Sequence, residues 1–184
     1  MLEIVVPETE FFDDVKQEFY TVSAQTIQLE HSLISISKWE SKWRKPFLAN
    51  TGNRTVEESI DYIKCMTLSR SVPPEAYLAL TQENVDTVAD YINQSQTATW
   101  FNEAPGVKKS STSSQVVTSE LIYYWMITYN IPAEYQKWPL SRLIALIRIC
   151  ETKSRPPQKM SKADVRAQMR KLNEQRRAEY GTRG

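Results

Sequence analysis

His31 is the one histidine among 184 residues, and that count bounds the chemistry open to the chain. A multi-histidine metal site is excluded, and a serine–histidine pair would have to be built on this single imidazole. It stands where a strand-like stretch gives way to a helix-like one, and an ordinary hydrogen-bonded or surface imidazole is the simpler reading. Ser35-Ile36-Ser37-Lys38 has the S-x-x-K spacing that sets a serine nucleophile one helical turn from a lysine. The S-D-N and K-T-G motifs that complete such a site in penicillin-recognising enzymes are missing. Asp13-Asp14 and Glu57-Glu58 could join a metal site, but adjacent carboxylates serve as surface or helix-start charges without any ligand. Cys65 and Cys150 lie far apart in apolar stretches, which argues against a disulfide framework or a CxxC metal site and fits a reducing compartment. No Gly-rich phosphate loop is present. Asn53-Arg54-Thr55 and Asn93-Gln94-Ser95 match the glycosylation acceptor pattern, which carries no meaning without a secretory signal. The residues therefore suggest no catalytic set, no metal site and no cofactor.

The side chains that remain need elements to position them. Glu3–Val6 reads as a short strand, and Phe19, Thr21, Ile27 and Leu29 recur at period two, so a β-hairpin turning at Ser23-Ala24-Gln25 is expected. From Ser32, a plausible N-cap, the period changes: Leu33, Ile36, Trp39 and Trp43 share one helical face, which Pro46 ends. Thr55-Val56-Glu57-Glu58 has capping-box spacing and opens a second helix marked by Ile60, Ile63 and Met66. Thr81 caps a third, in which Val85, Val88, Ala89 and Ile92 form the cleanest amphipathic stripe in the chain. Residues 102–115, with Pro105-Gly106, Lys108-Lys109 and a Ser/Thr cluster, lack the apolar side chains of a core segment and read as a flexible loop. Thr118 or Ser119 starts a fourth helix to Asn130 that is apolar nearly all round and so should be buried on most sides. Pro139 opens a fifth with Leu140, Leu143, Ile144 and Ile147 facing inward. Helices four and five are expected at the centre of the core. After Pro156-Pro157, Ser161-Lys162-Ala163-Asp164 offers a cap for a last helix to about Tyr180, whose apolar stripe of Val165, Met169 and Leu172 is thin.

The expected fold is mainly α: a single helical domain of about five helices with an N-terminal β-hairpin and a basic C-terminal helix. Residues 1–152 form the body and 153–184 the tail. Apolar residues at 41%, charged residues at 24% and only four Gly fit one globular domain better than a turn-rich β-sandwich. No stretch reads as a signal peptide or as a membrane span. Residues 153–184 hold ten Lys or Arg against three Asp or Glu, net +7, while the other 152 residues hold thirteen against nineteen, net −6. A basic tail on an acidic body is either a solvated helix that maintains solubility or an attraction to an acidic partner or nucleic acid. With one aromatic, Tyr180, and no recognisable nucleic-acid motif, the tail gives a nucleic-acid role little support.

Trp39-Glu40-Ser41-Lys42-Trp43 sets two indoles on one helical face beside Lys38, Lys42, Arg44 and Lys45. Core packing with snorkelling cations accounts for this pattern, and a groove anchor for a partner peptide is the alternative. A longer set of landmarks resembles a known group. Ser35 to Trp43, Pro46-Phe47-Leu48, Asp61 to Thr67, Thr97-Ala98-Thr99-Trp100-Phe101, Thr118 to Met126 and Pro156 to Ser161 look like those of tail assembly chaperones of long-tailed bacteriophages (siphophages). Leu172 to Arg177 and Gly181 to Gly184 continue the likeness, which spans nearly the whole chain. The resemblance implies a non-enzymatic protein of the infected host's cytoplasm that binds the long, coiled-coil-prone tape measure protein and keeps it soluble. It would deliver that client to the polymerising major tail tube protein and be absent from the finished virion. Self-association belongs among its possible contacts, a membrane does not, and some such systems extend the C-terminus by a programmed frameshift. On this reading Trp39, Trp43, Trp100 and Phe101 are the candidate partner contacts, joined by Arg166, Arg170, Arg176 and Arg177 of the tail. A structural tail or connector protein of the virion, and a nucleic-acid-binding regulator, are the competing functions.

Overall fold

A computed structural model of the chain describes residues 1–49, 54–101, 116–154, 166, 169–170, 172–177 and 181. The chain divides into two compact units, Met1–Cys150 and Glu151–Gly184. The first opens with four strands, β1 (Leu2–Val6), β2 (Thr9–Asp13), β3 (Glu18–Val22) and β4 (Gln25–Leu29). They form two nested antiparallel pairs. β1 lies against β4 with Ile4 opposite Ile27, and β2 lies against β3 with Phe12 opposite Phe19. The hairpin therefore turns at Asp14–Gln17, not at Ser23-Ala24-Gln25 as the alternation suggests. Asp13 Oδ1 accepts from the backbone N–H groups of Val15 (2.9 Å) and Lys16 (3.1 Å), and Gln17 takes a left-handed φ of 57°. This side-chain-supported turn needs no Asn-Gly. Pro7, which has no N–H to donate, falls at the break between the two ladders. Beyond the break, Phe11 stacks on Tyr20 and Phe12 meets Phe19 with ring centroids 4.9 Å apart, leaving Phe12, Phe19 and Tyr20 exposed.

The helices follow their caps. In α1 (Leu33–Trp43) Ser32 accepts from the Ser35 N–H, and Arg44 closes the helix in the left-handed region before Pro46. The capping box at Thr55 and Glu58 opens α2 (Val56–Met66), Thr81 and Asn84 form another at α3 (Gln82–Asn93), and Thr118 caps α4 (Ser119–Thr128). Short 3-10 turns at Pro74–Tyr77 and Ala133–Lys137 precede α3 and α5 (Leu140–Ser154). The chain after α2 also covers the free edge of β4: Glu30 N–H donates to Met66 O at 2.9 Å, and Leu68 N–H to Gln28 O at 2.8 Å.

The centre of the core is α1 rather than helices four and five. Leu33, Ile36 and Trp39 are fully buried among Val6, Ile27, Leu29, Phe47 and Met66, with Ile122 of α4 and Leu143 of α5 closing over them. Each such side chain contributes about 2 kcal/mol of transfer free energy. α4 does not meet the expectation of burial on most sides. Among its apolar residues only Ile122 and Met126 are buried, Trp125 is half-buried, and Tyr124 and Ile127 are 60% and 76% exposed. Glu40, buried on α1, fastens the layer: its carboxylate accepts from the Phe47 N–H (2.7 Å) and from the Ser119 N–H at the start of α4 (2.8 Å). Negative charge is favoured at that helix end. The second unit has helical backbone at residues 172–177, and its described Arg side chains are exposed. Residues 102–115 and the Pro156-Pro157 break lie outside the described residues.

Candidate partner-binding site

Three helices leave a space between them. α2, α3 and the start of α5 surround a half-open cavity of about 490 Å³ whose walls include Ile63, Val85, Val88, Ile92, Leu140 and Ile144. The stripe that reads in the sequence as the cleanest amphipathic face is here only partly covered. Val88 is buried, Val85 and Ile92 are half-buried, and Ala89 stays exposed. The volume lies within the roughly 300–1,000 Å³ typical of ligand sites.

The floor is aromatic, and His31 and Tyr62 engage each other there. Phe47 and Tyr62 lie with ring centroids 4.0 Å apart, and Trp39 meets Phe47 edge-on at 5.2 Å. His31 Nδ1 is 2.5 Å from the Tyr62 hydroxyl. Burial, with the nearby Arg54 charge adding to it, pushes the His31 pKa down to about 4, and burial pushes the Tyr62 hydroxyl well above its ordinary value. Both groups are therefore neutral at physiological pH. The pair can exchange a hydrogen bond but presents neither an activated nucleophile nor a cationic acid. Arg54 lies across the Phe47 ring, its guanidinium carbon 3.6 Å from the centroid, and donates from Nη2 to Phe47 O at 2.6 Å. Its Nε is shielded from solvent and has no hydrogen-bond partner among the described residues. No group of three or more His, Cys, Asp or Glu among the described residues is arranged to hold a metal ion. None of the described helices is long and apolar enough to cross a membrane.

The residues singled out in the sequence fall elsewhere. Trp39 is wholly buried and its Nε1 donates to Glu58 O at 2.9 Å, so it is a core side chain and not a partner contact. Its large apolar ring is fully used inside the protein. Trp43 is half-buried, donating to Asp61 Oδ2 at 2.9 Å, with Lys42 on the other carboxylate oxygen at 2.5 Å and Lys42 and Lys45 within 6 Å of its ring. These are the snorkelling cations that the core reading supplies. Trp100, at 91% exposed, remains open for contact, and the neighbouring Phe101 is half-buried with the Arg148 guanidinium 4.3 Å from its ring centroid. Arg166, Arg170, Arg176 and Arg177 are exposed and belong to the other unit. Within the first unit, Trp39 and Trp43 lie together with centroids 6.3 Å apart.

Sequence reasoning passes over Arg54 and Tyr62 as site residues. The only local signal near them is the capping box that starts α2. Their shared pocket exists because α3 and α5 arrive from well along the chain. No protein-family model, no curated protein and no solved structure matches the chain.

Proposed function

We propose that this chain is a non-enzymatic, protein-binding protein of the tail assembly chaperone kind, holding the apolar faces of a helical client until assembly consumes it. The observation that carries the reading is the half-open cavity between α2, α3 and α5, whose largely apolar walls suit the side chains on one face of an amphipathic helix. Exposed Trp100, Tyr124 and Ile127, together with the aromatic pairs beyond Pro7, supply further apolar surface that a folded monomer does not use. The client on this reading is the phage tape measure protein, met in the host cytoplasm, with the chaperone absent from the mature virion. The tail is proposed to be a basic helix that strengthens attraction to acidic surfaces.

Purification of a tagged chain from infected cells tests this. The tape measure protein should be the main co-purifying species, and purified virions should lack the chain. Stoichiometric chain in virions would instead make it a structural tail or connector protein. Tight duplex binding that vanishes with the tail would make it a nucleic-acid-binding regulator.

A further inference from the structure

We propose that the cavity selects partner segments in which a carboxylate lies one helical turn from a bulky apolar side chain, with Arg54 receiving the carboxylate. The inference rests on the protein-binding reading above and adds the chemistry of the bound segment.

Among the described residues that line the cavity, Arg54 is the only one with a formal charge at neutral pH. His31 is uncharged there, because burial holds its pKa near 4. The apolar walls of Val85, Val88, Ile92, Leu140 and Ile144 can take up an aliphatic or aromatic side chain, but they leave the guanidinium unanswered. Arg54 is partly desolvated against the Phe47 ring, and one engaged donor, Nη2 on Phe47 O, leaves its Nε–H shielded and unpaired among the described residues. A shielded donor without an acceptor is costly, and a guanidinium is shaped to present its N–H groups to a carboxylate.

The Glu58 charge favours the Arg54 cation from nearby, but neither Glu58 nor Asp61 forms an ion pair with the guanidinium among the described residues. Glu58 Oε1 is taken by Lys45 at 2.5 Å, and Glu58 Oε2 accepts from the Thr55 N–H at 2.9 Å. Asp61 is held by Lys42 and the Trp43 indole. Asn50-Thr51-Gly52-Asn53, which precede Arg54 in the chain, contain no acid. A carboxylate entering the cavity would meet the Arg54 guanidinium beside the apolar walls, and that juxtaposition defines the pairing of acid with apolar side chain. A body that is net negative would repel an acidic segment elsewhere on its surface, so this local cation also sets where such a segment lands.

Fluorescence anisotropy with the full chain tests the assignment. The probes are a short labelled amphipathic helix bearing Leu residues one turn apart and a Glu one turn beyond, and the same peptide with Gln in place of Glu. The Glu peptide should bind about tenfold more tightly than the Gln peptide, as expected for a shielded charge-assisted pair. Arg54→Gln should bring the ratio of the two affinities close to one, and Ala89→Trp, which narrows the cavity mouth, should weaken both. Equal affinity of the two peptides for the unmodified protein would overturn the carboxylate assignment and leave the protein-binding reading standing. That comparison does not depend on Arg54→Gln folding. Binding of neither peptide would overturn both.

Discussion

Protonating His31 inside the folded protein means placing a buried cation near Arg54, beside the rings of Phe47 and Tyr62. Its pKa falls from 6.5 in the unfolded chain to about 4, so folding favours the neutral ring. The resulting stability is fully present above pH 6.5 and is lost as the pH falls through 4, amounting to about 3 kcal/mol across that window. Urea titrations at pH 7.5 and pH 4 should show that loss, and His31→Gln should remove most of the pH dependence in that range. A variant that keeps the full slope would show that other groups carry it. Glu40 sets a second expectation. Ala at this position strands the Phe47 and Ser119 N–H groups and should cost about 3 kcal/mol, whereas Gln, which keeps one acceptor oxygen, should cost less. Single residues were unevenly legible. His31 as a hydrogen-bonded imidazole follows from its isolation in the sequence, but nothing local marks Glu40 as the buried joint between Phe47 and α4, because its partners lie 7 and 79 positions away.

Helix starts were readable because a cap is a local event. Ser32, Thr55, Thr81 and Thr118 each accept from an N–H three residues on, and the sequence carries both partners together. Strand partners were not readable in the same way. Period-two alternation identifies Phe19, Thr21, Ile27 and Leu29 as strand residues but does not say that Phe19 pairs with Phe12 and Ile27 with Ile4. Apolar composition likewise could not tell α4's buried side from its open one, since that depends on which neighbours arrive. This gives an ordering of costs for substitutions on the two C-terminal helices. Leu143→Ala should lose about 3 kcal/mol as a fully buried side chain, half-buried Trp125→Ala should lose less, and Ile127→Glu should stay within about 0.5 kcal/mol of the parent. Chemical unfolding of the three variants checks the order. A large loss for Ile127→Glu would mean that this face is covered within the molecule and not free for a partner.

At the scale of the whole molecule, charge and apolar surface are distributed for contact. The acidic body has a cavity with a cationic edge, and the chain carries its excess of Lys and Arg after residue 152. Deleting residues 155–184 should leave the melting temperature of the remainder within about 2 °C, because Met1–Cys150 is a compact unit with its own core. Client affinity should weaken and become less sensitive to salt, since screening acts on the exposed arginines. A truncated chain that fails to fold would contradict the separation of body from tail. The central claim is that the cavity between α2, α3 and α5 holds the client, and a photo-reactive amino acid at position 89, exposed at its mouth, tests it most directly. Irradiation of infected cells should yield a cross-link to the tape measure protein that Arg54→Gln diminishes, while the same group at exposed position 38 on α1 yields little. Equal cross-linking from both positions, or a cross-link from position 89 to the tail tube protein alone, would contradict the account.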